Sequence, residues 1–131
     1  MTDWTWPDAQ TARIIDGDTL DMRVTRDLGF GGSATFVVRL RLGRINAPAA
    51  YTIEGKAATA YLTGLLPIGS TAALTTTGPY KYGGPQTSPG EWMAEITTTA
   101  GNVSDLMVAA GHAVYWDGEG PRPGDGTPAT T

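Results

Sequence analysis

Three arginines, Arg39, Arg41 and Arg44, crowd into one short stretch of the chain. A guanidinium presents a planar fork of donors that suits phosphate oxygens, so these residues form a candidate basic strip. Further along, Tyr80 and Tyr82 flank Lys81. Aromatic rings beside a cation are the equipment for stacking unpaired bases. The chemistry the two groups would serve together is the binding of single-stranded nucleic acid, with Arg39, Arg41, Arg44, Tyr80, Lys81 and Tyr82 as its face. The overall charge opposes that reading. Nine Lys and Arg stand against thirteen Asp and Glu, a formal net charge of −4. Proteins that grip many phosphates carry a basic surplus. Each residue also has a structural reading. Arg41 points away from Leu40 and Leu42 and has Asp18 and Asp21 as candidate ion-pair partners. The two tyrosines can pack their own loop down. His112 follows a glycine at a helix end, where a solvated or packed ring is expected. With no Cys, disulfides and thiolate metal or redox sites are excluded.

The elements that must position these groups follow from periodicity. A chain of 131 residues with 40% hydrophobic content supports one domain with a modest core. No apolar run is long enough to span a bilayer, so no membrane role is expected. The first residues have neither a basic start nor an apolar run, so no secretory signal is expected. Residues 1–10 read as an arm in which Trp4 and Trp6 either pin the segment to the domain or contact a partner. Residues 11–15 have the β-branched bias of a strand. Asp16-Gly17-Asp18 is a turn in which Asp18 can hydrogen-bond the backbone. Leu20, Met22 and Val24 alternate with charged residues, and Phe36, Val38, Leu40 and Leu42 repeat that period, giving two further strands. Ala58, Tyr61, Leu62 and Leu65 have helical spacing over 54–66, and Pro67 stops the helix. Residues 71–77 and 92–98 read as strands joined by a Gly/Pro-rich loop over 78–90. Val103, Leu106, Met107 and Ala110 predict a second helix closed by Gly111. Residues 117–131 have no apolar pattern and read as an extended tail. The order β-β-β-α-β-β-α predicts a mainly β chain with two helices, a five-stranded OB-fold barrel of α+β class over 11–116.

Several blocks in this order carry a resemblance. Ile14-Ile15-Asp16-Gly17-Asp18-Thr19-Leu20-Asp21, Arg41-Leu42-Gly43-Arg44-Ile45-Asn46-Ala47-Pro48, Gly55-Lys56-Ala57-Ala58, Tyr80-Lys81-Tyr82-Gly83 and the run from Val103 to Gly111 resemble successive motifs of the staphylococcal-nuclease (thermonuclease) family. The resemblance covers residues 11–116. It implies an OB barrel of that family's type and, in active members, Ca²⁺-dependent cleavage of DNA and RNA phosphodiesters. That chemistry needs carboxylates for the cation, a Glu to activate water, and two Arg for phosphate charge. Asp18 matches the first metal carboxylate and Arg41 the first phosphate-binding Arg. The second metal carboxylate is Asn46 here, the catalytic Glu is Ala49, and the second Arg is Gly84. Asp18 and Asn46 therefore remain as metal candidates, and Arg41 as a remnant phosphate position.

A general base contributes roughly 10²–10⁴ in rate and a transition-state donor roughly 10²–10³. Loss of both makes efficient hydrolysis an unfavoured expectation. The primary expectation is a catalytically degenerate OB domain that serves as a structural or protein-binding module, with no cofactor. Its partners would be other proteins of an assembly, reached through Trp4, Trp6 and the C-terminal tail. A bacteriophage particle component near the tail fits this style of small domain, in a cytoplasmic or virion-associated setting. A weak Ca²⁺-dependent nuclease is the alternative, and a non-catalytic single-strand binder the third.

Overall fold

The computed structural model describes residues 4–80 and 91–117. Lys81, Tyr82, Gly84 and the chain beyond Asp117 lie outside the described residues. The order of elements is β1 (Trp4–Asp16), β2 (Thr19–Asp27), β3 (Ser33–Leu42), β4 (Ile45–Asn46), α1 (Ile53–Leu65), β5 (Thr71–Pro79), β6 (Glu91–Thr98), β7 (Gly101–Asn102), α2 (Val103–Ala109) and β8 (Val114–Tyr115). The five long strands pair in the order β3-β2-β1-β5-β6. A parallel pairing of β3 with β6, from Arg39 opposite Glu91 to Leu42 opposite Ala94, closes them on themselves. The result is a closed five-stranded mixed barrel with two helices, an OB-like α+β architecture.

Alternation along the strands fills this barrel. Leu20, Met22 and Val24 from β2, Leu40 and Leu42 from β3, Leu74 from β5 and Ile96 from β6 are all buried in one core. Because side chains on a strand alternate between faces, the intervening Arg39 and Arg41 face away from that core. The helices cover one end. Thr52 caps α1, its hydroxyl accepting from the Gly55 N–H at 2.9 Å. Ala58 and Leu62 of α1 are buried, and the helix packs chiefly on β1. Gly17, in the β1–β2 turn, makes this approach possible: a Cβ there would stand 2.7 Å from Ala58 Cβ and 2.8 Å from Ala47 Cβ. In α2 the buried face runs through Val103, Ser104 and Met107. Ala110 is exposed and forms the C-cap, so the face is rotated from the one its spacing predicts. Gly111 follows at φ 82°, the left-handed position a helix-ending glycine takes.

The N-terminal segment departs from its reading as an arm. Residues 4–10 are the first half of β1, with Trp4 opposite Thr76, Thr5 opposite Thr75 and Trp6 opposite Leu74 on β5. Pro7 has no N–H to offer a ladder, and the register shifts between Trp6 and Ala9, where that N–H is not required. Three short strands, β4, β7 and β8, are additions to the expected order. Among the described residues, no helix is long and apolar enough to cross a membrane.

Two glycines of α1 make a contrast that tests this packing. A Cβ on Gly55 would collide with the Ala49 carbonyl, whereas Gly64 has open space around it. Gly55→Ala is expected to lower stability by about 1–3 kcal/mol through overpacking against backbone. Gly64→Ala is expected to raise it by about 0.4–1 kcal/mol, since it trades glycine's backbone entropy for helix propensity. Urea unfolding curves of the two variants, compared at constant m-value, check both signs.

Candidate functional site

The site begins at the turn between β1 and β2. Asp16 organises it, its Oδ1 accepting from the Asp18 N–H at 3.1 Å. This leaves the Asp18 side chain free to reach across the fold. Asp18 Oδ1 accepts from the Thr19 hydroxyl at 3.0 Å. Its Oδ2 accepts from the Ala47 N–H at 2.8 Å and meets Arg41 Nη1 at 3.1 Å. Arg41 comes from the outward face of β3, and its Nη2 donates to Asn46 Oδ1 at 2.7 Å. Both charged side chains are nearly inaccessible, at 5% for Arg41 and 6% for Asp18. The guanidinium lies over aromatic rings, with Tyr80 at 4.8 Å and Trp116 at 5.7 Å from the ring centroids. Trp116 reaches this place because β4 pairs with β8, Ile45 opposite Tyr115 and Asn46 opposite Val114.

The structure thus brings together Asp18, Arg41, Asn46 and Tyr80, all expected from the sequence, and adds Ala47 and Trp116, which were not. Trp116 is separated from Arg41 by most of the chain, and no local pattern signals it. Ala49 sits nearby in the chain but has a different task. Its carbonyl accepts from the Thr52 N–H and hydroxyl, holding the entry to α1. It carries no acid or base.

A cation has poor access to this donor set. Both Asp18 oxygens are engaged, and the side-chain oxygen of Asn46 already receives Arg41 Nη2. The positive charge between Asp18 and Asn46 is the guanidinium itself. A Ca²⁺ ion collects six to eight oxygen ligands and gains affinity with their negative charge. Here the Asp18 carboxylate is already matched by Arg41, and the Asp16 carboxylate beside it is turned to the Asp18 N–H. The residues present do not fit the metal. Among the described residues, no group of three His, Asp or Glu comes together elsewhere.

The neighbouring arginines are paired in the same manner. Arg39 makes two hydrogen bonds to Asp21, at 2.8 and 3.1 Å. The Asp21 hydrogen bond raises the Arg39 pKa further above its ordinary value. Arg44 holds Glu95 through two bonds at 3.0 and 3.1 Å and Asp105 through one at 2.9 Å. Glu95 and then Asp105 raise its pKa. Asp105 is lowered by Arg44 and by the Tyr115 hydroxyl, which donates to it at 2.9 Å. Arg44 adopts φ 69°, a left-handed conformation uncommon outside glycine. Its carbonyl accepts from the Trp116 N–H at 2.8 Å, so the bend in the backbone anchors the same C-terminal segment that covers Arg41. The basic strip is therefore a row of ion pairs. Glu95, Asp105 and Tyr115 were not foreseen as its partners, because each is distant in sequence. Tyr82 and Lys81 lie outside the described residues. His112 packs its ring on Tyr61, with centroids 4.8 Å apart.

Compared with known proteins, the chain matches no family model and no curated sequence.

Burial, helped by the neighbouring Asp16 carboxylate, raises the Asp18 carboxyl to about 7, with Arg41 and the Ala47 N–H pulling the other way. The folded state therefore holds this proton more tightly than the unfolded state. The stability it contributes is fully present below the unfolded value of 3.8 and is lost as pH rises through about 7. Arg41→Leu removes the principal lowering influence, so the Asp18 titration should move up. The variant should lose about 3–5 kcal/mol where the carboxyl has to be charged, as when one partner of a buried pair is removed. The loss should be larger at pH 8 than at pH 5. Urea melts of both proteins at the two pH values, with the Asp18 carboxyl followed by ¹³C NMR, measure both effects.

Proposed function

We propose that this chain is a non-catalytic OB-like module that works by binding protein. Its resemblance to the staphylococcal-nuclease family then lies in the frame and not in the chemistry. The observation that carries this reading is the internal closure of Arg41. In a nuclease on this frame, that guanidinium would have to meet a phosphate from solvent. Here its two terminal nitrogens are taken by Asp18 and Asn46, and aromatic rings lie over it. A phosphate would have to displace an ion pair and enter a buried space. Ala49 supplies nothing to activate water, and a positioned base is worth roughly 10²–10⁴ in rate.

Asn46 makes physical sense in the same terms. A carboxylate at this position would add one more negative charge to the pair formed by Asp18 and Arg41 and raise the demand for a cation. The amide accepts the guanidinium hydrogen bond without adding charge, so the Asp18–Asn46–Arg41 contact is neutral with Asp18 ionised. The pairing of Arg39 and Arg44 supports the reading against a nucleic-acid face. Long-range attraction for a polyanion needs cations whose field is not cancelled nearby.

Support for a protein partner comes from apolar side chains left outside the core. Phe30, at the tip between β2 and β3, is 78% exposed, and Tyr51 and Ile53, at the entry to α1, are 80% and 84% exposed. Aromatic residues are enriched at protein interfaces. An assembled particle, such as that of a bacteriophage, is a setting in which such a module would be used.

The test is incubation of the folded protein with single-stranded DNA and with RNA, in Ca²⁺ and separately in Mg²⁺. No cleavage is expected, and no retention of either oligonucleotide at about 150 mM salt, where unspecific phosphate contacts are already weakened. Cleavage that EDTA abolishes would overturn the proposal, because it would require a cation and a water-activating group at the Asp18 end of the barrel.

A further inference from the structure

The end of the barrel away from α1 carries a groove that the Arg41 cluster does not touch. All five barrel strands contribute to it, including the starts of β1, β3 and β6 and the ends of β2 and β5. Its volume is about 680 Å³. Trp6, Val38 and Trp92 are partly buried and pack against the core, so they form a floor held by the fold. Trp4 stacks on Trp6 with centroids 6.1 Å apart and planes 14° from parallel. Phe36, 47% exposed, forms part of the opposite wall. Among the described residues Arg26 is the one cation in the lining, its guanidinium 3.8 Å from the Trp4 ring centroid and 5.9 Å from that of Trp6. Among the described residues, Arg26 has no hydrogen-bond or ion-pair partner.

This contrasts with the other end of the molecule, where Arg39, Arg41 and Arg44 all have carboxylates. Stacking on indole fixes Arg26 in place and leaves its donors unused. We propose that the groove binds a planar aromatic monoanion, an aryl carboxylate or sulfonate. The ring would lie among Trp6, Phe36 and Trp92, and the acid group would take the free donors of Arg26. Three features select this class of occupant. The volume falls within the range of roughly 300–1,000 Å³ typical of small-molecule sites, and barrel mouths are among the places such sites form. The described lining residues are mostly apolar and rich in indole, which suits a flat ring. The single unpaired cation calls for a single negative charge, and a net charge of −4 opposes a polyanion. The inference does not depend on how the Asp18–Arg41 cluster is read.

The experiment is a titration of the intact protein with 1-naphthoate, followed by quenching of tryptophan fluorescence, with the neutral 1-naphthylmethanol alongside. Saturable binding at one site per chain is expected, with the acid bound more tightly than the alcohol. Arg26→Gln, at an exposed position, should weaken the acid by about tenfold, the scale of one charge-assisted hydrogen bond, and leave the alcohol unchanged. Phe36→Ala should weaken both. Non-saturating quenching, or equal affinity for acid and alcohol in the parent protein, would overturn the proposal. So would an undiminished affinity in the Arg26→Gln protein. Two other outcomes would replace the occupant: tighter competition by an oligothymidylate, or self-association of the chain that naphthoate does not reverse.

Discussion

A guanidinium taken out of water must be neutralised and hydrogen-bonded where it sits, and much of this structure follows from meeting that requirement at Arg41. The Asp16-Gly17-Asp18 turn delivers the neutralising carboxylate, because Asp16 closes the turn and leaves Asp18 to reach across. The short β4 strand delivers Asn46 and the Ala47 N–H. The pairing of β4 with β8 lays Trp116 over the cation. Gly17 permits α1 to approach the same turn. One buried charge thus ties together the β1–β2 turn, the end of β3, the entry to α1 and the C-terminal segment. Such a pair gains little over an apolar replacement, yet losing one partner is costly. Its value lies in fixing one arrangement of these segments among many that burial alone would tolerate.

The same economy of charge extends along the outward face of β3 and just past its end. Arg39 meets Asp21, Arg41 meets Asp18, and Arg44 meets Glu95 and Asp105. These pairs differ in weight. Arg44 and Asp105 are about half exposed, and exposed pairs contribute about 0–1 kcal/mol. The Asp18–Arg41 pair is shut away from solvent. Together they give each arginine of the sequence cluster an acidic partner. A cluster of arginines shows a capacity, and only the position of the acids decides whether that capacity faces outward.

Local periodicity explains why the barrel was legible in the sequence. Leu20, Met22 and Val24, like Leu40 and Leu42, alternate because one face of each strand is buried, and the helix spacing of Ala58 and Leu62 arises in the same way. The pairing of Arg41 with an acid at the first turn was also within reach, since Asp18 and Asp21 were its nearest candidates. Residues 4–10 join β1 through pairing with β5, a tertiary contact, and Pro7 sits at a register shift that needs no donor. The strands β4, β7 and β8 are two residues each and exist only through their partners, so they have no period to detect. Glu95, Asp105 and Trp116 join the arginines through tertiary contacts alone. The groove is assembled from five strands, and no single segment contains enough of it to be recognised.

The two ends of the barrel pose opposite physical problems. At the helix-capped end, polar groups are buried, and nearly every one is answered from within the chain. The answer engages the Asp18 carboxylate and both terminal nitrogens of Arg41 within the chain. At the other end no described residue of either helix lines the groove, and the strands leave indole rings at the surface. A barrel cannot leave such a mouth bare without exposing apolar area to water, and Trp4 resolves part of this by stacking on Trp6 under Arg26. That arrangement shields the rings from one side but pairs no charge. The chain thus leaves a cation and aromatic surface open at one end, while at the other it answers most of its buried polar groups itself, Arg41 Nε being an exception.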